Sequence, residues 1–421
     1  MKLVSQKSVL SGEILIPASK SHTIRAVAIA TMAGGWSILR NPLESADARS
    51  AFRAAIEFGA RVKIEDENWI VDGIGRNLSP VASYVDVANS GTTLRIFSAL
   101  ASLASHAITF DGDSSIRNRP MTPLLDALRN LGVTVKSLND KCPFSVIGPM
   151  KGGITAVNGI SSQFVTALLL SAPLAKADTE IVVENLHEKP YVEITLDWLR
   201  SQEIQFEQAG LERFIVKGDQ KYHAFDRKIP ADFSSATFAL CAAAITQSEI
   251  LIKGLDFNDH QGDKKVFEHL DKMGVEMSHE PEGVRIKGKP LTGIEIDLND
   301  TPDALPALAV VGCFASGKTF LYNVEQARLK ECDRIKAITV ELKKMGAKIE
   351  ELPDGVIIEN SRLKGAAVNG YEDHRMVMAL TLAGMVATGE TVVDTAESIS
   401  ITYPGFVNDF KNLGAKIKRI N

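Results

Sequence analysis

Leu128-Arg129-Asn130-Leu131-Gly132-Val133-Thr134-Val135 ends a helical apolar pattern on a glycine and runs straight into an alternating strand. A glycine just past the last apolar helical position marks a left-handed helix C-terminus. The same construction recurs at Ala54-Ala55-Ile56-Glu57-Phe58-Gly59, at Leu270-Asp271-Lys272-Met273-Gly274, at Leu342-Lys343-Lys344-Met345-Gly346 and at Phe410-Lys411-Asn412-Leu413-Gly414. The glycines at 59, 132, 274, 346 and 414 are separated by 73, 142, 72 and 68 residues, and 142 is twice 71. A sixth copy is therefore expected near 203, where Trp198-Leu199-Arg200-Ser201-Gln202-Glu203-Ile204 carries Glu203 in the place of glycine.

A second helix keeps the same period. It starts near Ser21, Ser90, Ser161, Ser234, Asp303 and Asp373, each a small polar residue ahead of an Ala/Leu-rich run. Ser and Asp are natural N-caps. These helices are apolar nearly all round and are expected to be buried, whereas the 51–59 and 123–131 type helices carry charge on one face and are expected outside. Short β-rich runs such as Ile108-Thr109-Phe110 and Ile181-Val182-Val183 lie between them. Two features on one period near 70 residues predict six α/β units, too large for a one-dimensional solenoid. Two domains of three units each is the economical packing.

The chain has 421 residues, 47 Lys plus Arg, 52 Asp plus Glu and a net charge of −5. That balance argues against a bulk nucleic-acid binder but leaves room for a locally basic site. The longest strongly apolar stretch, Ala304 to Ala315, is shorter than the roughly 20 residues that span a bilayer, so no membrane association is expected. Met1 to Lys7 has no apolar signal-peptide core. Cys142, Cys241, Cys313 and Cys332 lie far apart, which predicts buried thiols in a reducing cytoplasm and no metal site.

Helix N-termini present free N–H groups and partial positive charge. Several starts on one surface would make an anion site. Cations cluster beside these starts: Lys20-Ser21-His22-Thr23-Ile24-Arg25, Asn89-Ser90-Gly91-Thr92-Thr93-Leu94-Arg95, and Asp373-His374-Arg375. Arg117-Asn118-Arg119-Pro120 and Arg328-Leu329-Lys330-Glu331-Cys332-Asp333-Arg334 add more. Singly, each reads as a cap, a turn or an ion-paired face. Recurring at matched places of a repeat, they predict a site for a small polyanion with acids for proton transfer.

At these residues the chain resembles the 5-enolpyruvylshikimate-3-phosphate synthases. Ser19-Lys20-Ser21 with Arg25, and Asn89-Ser90-Gly91-Thr92 with Arg95, look like two of that family's motifs. Arg119-Pro120-Met121, Ser161-Ser162-Gln163, Lys189-Pro190-Tyr191, Gln261-Gly262-Asp263, Pro302-Asp303-Ala304, Arg328 through Arg334 and Asp373-His374-Arg375-Met376 follow in family order. The resemblance implies two globular domains of three βαβαββ-type repeats each, the enolpyruvyl transferase fold. One domain would span 19–230 and the other 1–18 plus 231–421, closing over substrate. It implies transfer of the enolpyruvyl group of phosphoenolpyruvate to the 5-hydroxyl of shikimate 3-phosphate, with no cofactor and no metal, in a cytoplasmic monomer.

By the same resemblance Ser21, Arg25, Ser161, Ser162, Gln163, Tyr191, Asp303, Gln326 and Lys330 would hold shikimate 3-phosphate. Lys20, Gly91, Arg119, Gln163, Arg334, His374 and Arg375 would hold phosphoenolpyruvate. Asp303 would take the proton of the attacking hydroxyl, Glu331 with Lys20 would protonate the methylene carbon, and His374 completes the catalytic set. Glyphosate sensitivity is a further expectation, with Gly91 leaving room beside the phosphoenolpyruvate site. Three positions depart from the family pattern. Glu188 stands where many members have Ser, and an acid there would repel phosphate unless it turned outward or paired with Lys189; Gln326 stands where some members have Asn and Ile401 where some have Lys. Two alternatives are a related enolpyruvyl transferase with another acceptor, such as UDP-N-acetylglucosamine, and an inactive binding protein on the same scaffold. The first would need a Lys-Asn opening and a loop cysteine without evident counterparts here, and the retained Lys20, Asp303, Glu331 and His374 speak against the second.

Overall fold

The computed structural model describes residues 1–78 and 81–420. Among the described residues, twelve principal helices alternate in two kinds. The first kind comprises α1 (Lys20–Met32), α3 (Gly91–Ala101), α5 (Ser162–Ser171), α7 (Phe233–Thr246), α9 (Leu305–Gly312) and α11 (His374–Gly384). The second comprises α2 (Ala46–Glu57), α4 (Thr122–Asn130), α6 (Lys189–Ser201), α8 (Lys265–Met273), α10 (Arg334–Lys344) and α12 (Phe406–Asn412). In α11 every residue is buried, and in α7 every residue from Phe233 to Ile245 is. Their Ala-rich surfaces allow close cover on all sides. In α8 only Val266, Phe267, Leu270 and Met273 are buried, the spacing of one helical face.

Each α2-type helix closes the same way. Gly59, Gly132, Gly274, Gly346 and Gly414 have φ between 87° and 110°. In every copy the next residue's N–H bonds to a carbonyl five positions back, as Val133 does to Leu128 at 3.1 Å. The sixth copy is present: Glu203 adopts φ 57°, and Ile204 N–H donates to Leu199 O at 3.0 Å.

The strands follow one plan. Tyr84–Asp86 runs parallel to Ile108–Asp111, which pairs antiparallel with Lys141–Ile147, which pairs antiparallel with Thr134–Leu138. Six sheets share this order. Three are completed by distant segments, one of them through Ser11–Leu15, which lies parallel to Glu249–Lys253. Tyr222–His223 and Asp226–Lys228 lie parallel to Ala33–Arg40. Lys2–Gln6 inserts between Thr391–Val393 and Lys416–Ile420.

The chain divides into two compact units, a contiguous one of 18–229 and a split one of 1–17 with 230–421. Each has its own apolar core, built around α1, α3 and α5 with Trp69 and Trp198 in the contiguous unit, and around α7, α9 and α11 in the split unit. Pro17 O accepts from Asp232 N–H at 2.8 Å, so the two segments of the split unit meet where the chain leaves and re-enters it. No helix among the described residues is long and apolar enough to cross a membrane.

Candidate active site

The start of α1 carries three residues singled out in the sequence. Ser19 caps the helix, and Lys20 Nζ lies 3.3 Å from Asp47 Oδ2 in the first turn of α2. Ser21 is half-buried, and its carbonyl accepts from Arg25 Nη1 at 2.9 Å. Arg25 is 1% exposed. Its Nε donates to Thr195 Oγ1 at 2.9 Å, and its Nη2 donates to Thr166 Oγ1 at 3.1 Å and to Tyr191 O at 2.9 Å. Four of its five N–H groups are thus engaged, and three of them tie α1 to α5 and α6. Burial lowers its pKa to about 10. Tyr191 is half-buried in the first turn of α6. His22, between the predicted residues, is buried and accepts from Trp198 Nε1 at 3.1 Å, a packing role.

The start of α3 forms a second cationic group. A Cβ on Gly91 would stand 2.5 Å from Arg119 Nη1 and 2.5 Å from Arg95 Nη1. A side chain at this position would have to push these two guanidiniums aside. The Cβ side of Gly91 faces these cations, one of which, Arg119, is among the residues expected around phosphoenolpyruvate. Arg95 Nη1 donates to Gln163 Oε1 at 2.8 Å, linking α3 to α5. Arg119 is buried and donates to Ser115 Oγ at 3.3 Å. Neighbouring Arg117 instead forms a bidentate surface pair with Asp111.

At the start of α5, Ser161 is the N-cap, and its Oγ accepts from Gln163 N–H. Ser162 faces Glu188. Glu188 is 2% exposed, and its Oε2 accepts from Ser162 Oγ at 2.8 Å and from Ser162 N–H at 3.3 Å. Glu188 thus does not turn outward: it points inward, while Lys189 is exposed. The helix N-terminus draws the carboxylate in, since its orphan N–H groups favour an anion.

In the split unit one arginine organises the acids. Arg334, 1% exposed, donates from Nη1 to Asp303 Oδ1, from Nη2 to Glu331 Oε2 and from Nε to Asp373 Oδ2, each at 2.7 Å. Burial alone would lower its pKa, but Asp373, Glu331 and Asp303 together raise it well above its ordinary value. Asp303 lies in the 3-10 turn Pro302–Ala304 ahead of α9, and its Oδ2 pairs with Arg375 Nη2 at 2.8 Å. Two guanidinium partners favour its carboxylate form. Asp373 is fully buried and also caps α11, accepting from the N–H groups of Arg375 and Met376. His374 follows it and is fully buried. Gln326 is buried and donates to Asn299 O at 3.0 Å; Lys330 is half-buried.

Sequence reading gave no role to Asp47, Asp263 or Asp373. Asp373 was legible as the cap ahead of His374-Arg375. Nothing in the sequence joins Asp47 to Lys20. Asp263 lies in the quoted Gln261-Gly262-Asp263; it is buried, accepts a short hydrogen bond from Ser234 Oγ, and is pushed up to about 6 by burial and then by Asp303. The thiols of Cys142 and Cys313 are pushed up to about 12 by burial. Cys332 is partly exposed, unlike the three buried cysteines, and donates to Asp373 Oδ2 at 3.6 Å. Among the described residues no three or more His, Cys, Asp or Glu side chains are grouped so as to hold a metal ion.

Six repeats in two α/β units define the enolpyruvyl transferase fold. The family model of EPSP synthase (3-phosphoshikimate 1-carboxyvinyltransferase) matches residues 4–410. A 3-phosphoshikimate 1-carboxyvinyltransferase of Ruminiclostridium cellulolyticum is 47% identical over 423 residues, covering 100% of both chains. Those of Acetivibrio thermocellus and Methanocaldococcus jannaschii are 48% and 43% identical, each covering 99% of both chains. The solved EPSP synthase of Acinetobacter baumannii superposes with a TM-score of 0.83 at 25% identity, covering 99% of each chain. The chain belongs to the EPSP synthase family.

Proposed function

We propose that the chain transfers the enolpyruvyl group of phosphoenolpyruvate to the 5-hydroxyl of shikimate 3-phosphate and releases phosphate. The names of its full-length relatives support the overall activity. One observation carries the assignment of residues: a single guanidinium, Arg334, holds both Asp303 and Glu331 at 2.7 Å. Two acids within one guanidinium's span suit two coupled proton transfers. Asp303 takes the proton of the 5-hydroxyl as its oxygen attacks C2 of phosphoenolpyruvate. Glu331, assisted by the charge of Lys20, delivers a proton to C3, giving a tetrahedral ketal phosphate. The bond to the phosphate oxygen then breaks, Glu331 recovers the methyl proton, and phosphate leaves with the proton held by Asp303.

Shikimate 3-phosphate is assigned to Ser21, Arg25, Ser161, Ser162, Gln163, Tyr191, Asp303, Gln326 and Lys330. For Arg25 the contribution is positioning, since most of its donors are engaged within the helices. Phosphoenolpyruvate is assigned to Lys20, Gly91, Arg119 and Gln163 with Arg334, His374 and Arg375. We further place the activity in the cytoplasm, supported by four free thiols, and in a monomer, since one chain supplies every residue named.

Phosphate release from phosphoenolpyruvate tests the reading, with shikimate 3-phosphate set against UDP-N-acetylglucosamine as acceptor. Release is expected with the first alone. Asp303→Asn is expected to keep shikimate 3-phosphate binding within about threefold and to lower kcat by about 10²–10⁴. A near-normal kcat would refute the role of Asp303.

A further inference from the structure

Ser162 has one backbone N–H and one hydroxyl proton, and both are directed at the same atom, Glu188 Oε2. Glu188 stands at the N-cap position of α6 but makes no side-chain cap bond to that helix. Its backbone is left-handed, φ 57° and ψ 40°. Its carboxylate instead lies at the start of the neighbouring helix α5. A serine hydroxyl has a single proton to donate, so it cannot serve a carboxylate and a substrate phosphate at once. The site also pairs like charges, because a phosphate at Ser162 would face the Glu188 carboxylate.

We infer that Glu188 is a specificity-determining residue, an internal anion that occupies the donors of Ser162 and must be displaced by the phosphate of the acceptor. The inference rests on the proposed function, which places that phosphate at Ser161 and Ser162. In the ligand-free protein Glu188 keeps the N–H and O–H of Ser162 satisfied although both are buried. On binding, the acceptor phosphate takes these donors and the carboxylate withdraws. Glu188 therefore lowers the affinity for the phosphorylated acceptor without touching recognition of the shikimate ring. The discrimination between an acceptor with and without its phosphate is thus smaller than the bare serine pair would give.

The test is calorimetric titration of the full-length protein with shikimate 3-phosphate and, separately, with shikimate. Glu188→Ser is expected to tighten shikimate 3-phosphate about tenfold and to leave shikimate within about twofold. Glu188→Gln retains an acceptor for Ser162 and loses only the charge, so a smaller gain, about threefold, is expected. The readout is the ratio of the two dissociation constants, which a merely structural role for Glu188 does not move. Unchanged or weaker shikimate 3-phosphate binding in Glu188→Gln overturns the inference, as does equal tightening of both ligands. Phosphate release by the unmodified protein separates the two levels. Turnover with shikimate 3-phosphate but no change in the ratio removes only the role of Glu188, whereas no turnover removes the proposed function itself.

Discussion

Arg334 directs four hydrogen bonds to three carboxylates, and this one side chain shows what sequence reading could and could not reach. Its presence in a dense charge run was plain, but such a run equally describes a solvated helix face. The distinction lies in partners from residues 303 and 373, which only the fold brings together. Asp263 was still less legible, being one acid in a short motif whose two following lysines, Lys264 and Lys265, bond to other groups. Its carboxyl is buried against Ser234 and near Asp232, Asp303 and Arg375. Its pKa rises from 3.8 to about 6, so the folded protein binds a proton there more tightly than the unfolded chain. Stability is therefore lost as pH rises between about 4 and 6, and the full cost persists above that window. A rise of this size corresponds to about 3 kcal/mol, with the opposing attraction of Arg375 already included. Asp263→Asn should raise the thermal midpoint at pH 7–8, with the gain vanishing near pH 4. A gain independent of pH would show that burial of the charge is not its origin.

Helices were the most legible elements, because each carries both of its ends in its own sequence. Ser90, Ser161 and Asp373 cap α3, α5 and α11 as read. The cap of α7 is Asp232 rather than the expected Ser234, and Asp303 sits one turn before α9 in a 3-10 segment. Both shifts leave the period intact. Sheet closure was not legible, since Lys2–Gln6 finds its partners only in the folded split unit. The substituted sixth copy offers a test of the helix-closing rule. Glu203 is exposed and holds a left-handed backbone that glycine adopts at the other five sites. That conformation costs a non-glycine residue about 1–2 kcal/mol, and glycine returns part of this through its more flexible unfolded chain. Glu203→Gly is therefore expected to stabilise the protein by about 0.5–1 kcal/mol, measured by urea unfolding. An unchanged or lowered midpoint would remove strain at Glu203 as a cost to the fold.

At the scale of the molecule, a net charge of −5 conceals cations gathered at the starts of α1 and α3 and acids gathered on Arg334. The two cores are equally self-contained, each drawn from one unit alone. A domain with its own core is able to fold by itself. The 18–229 segment, expressed separately, should unfold in one cooperative transition. The complementary chain, with Pro17 joined to Pro230 through a few Gly and Ser residues, should do the same, because Pro17 and Asp232 already share a hydrogen bond. A non-cooperative transition in either piece would mean that the units depend on each other to fold.

The strand Lys2–Gln6 pairs with Thr391–Val393 and Lys416–Ile420. Synthesis at about 5–20 residues per second leaves this first strand waiting roughly 20–80 s for its partners. During that interval 18–229 emerges whole and can fold on the ribosome. Lys2–Gln6 meanwhile remains an unpaired edge of a sheet not yet made, so emergence of Thr391–Val393 and Lys416–Ile420, rather than of the strand itself, sets the moment at which the split unit closes.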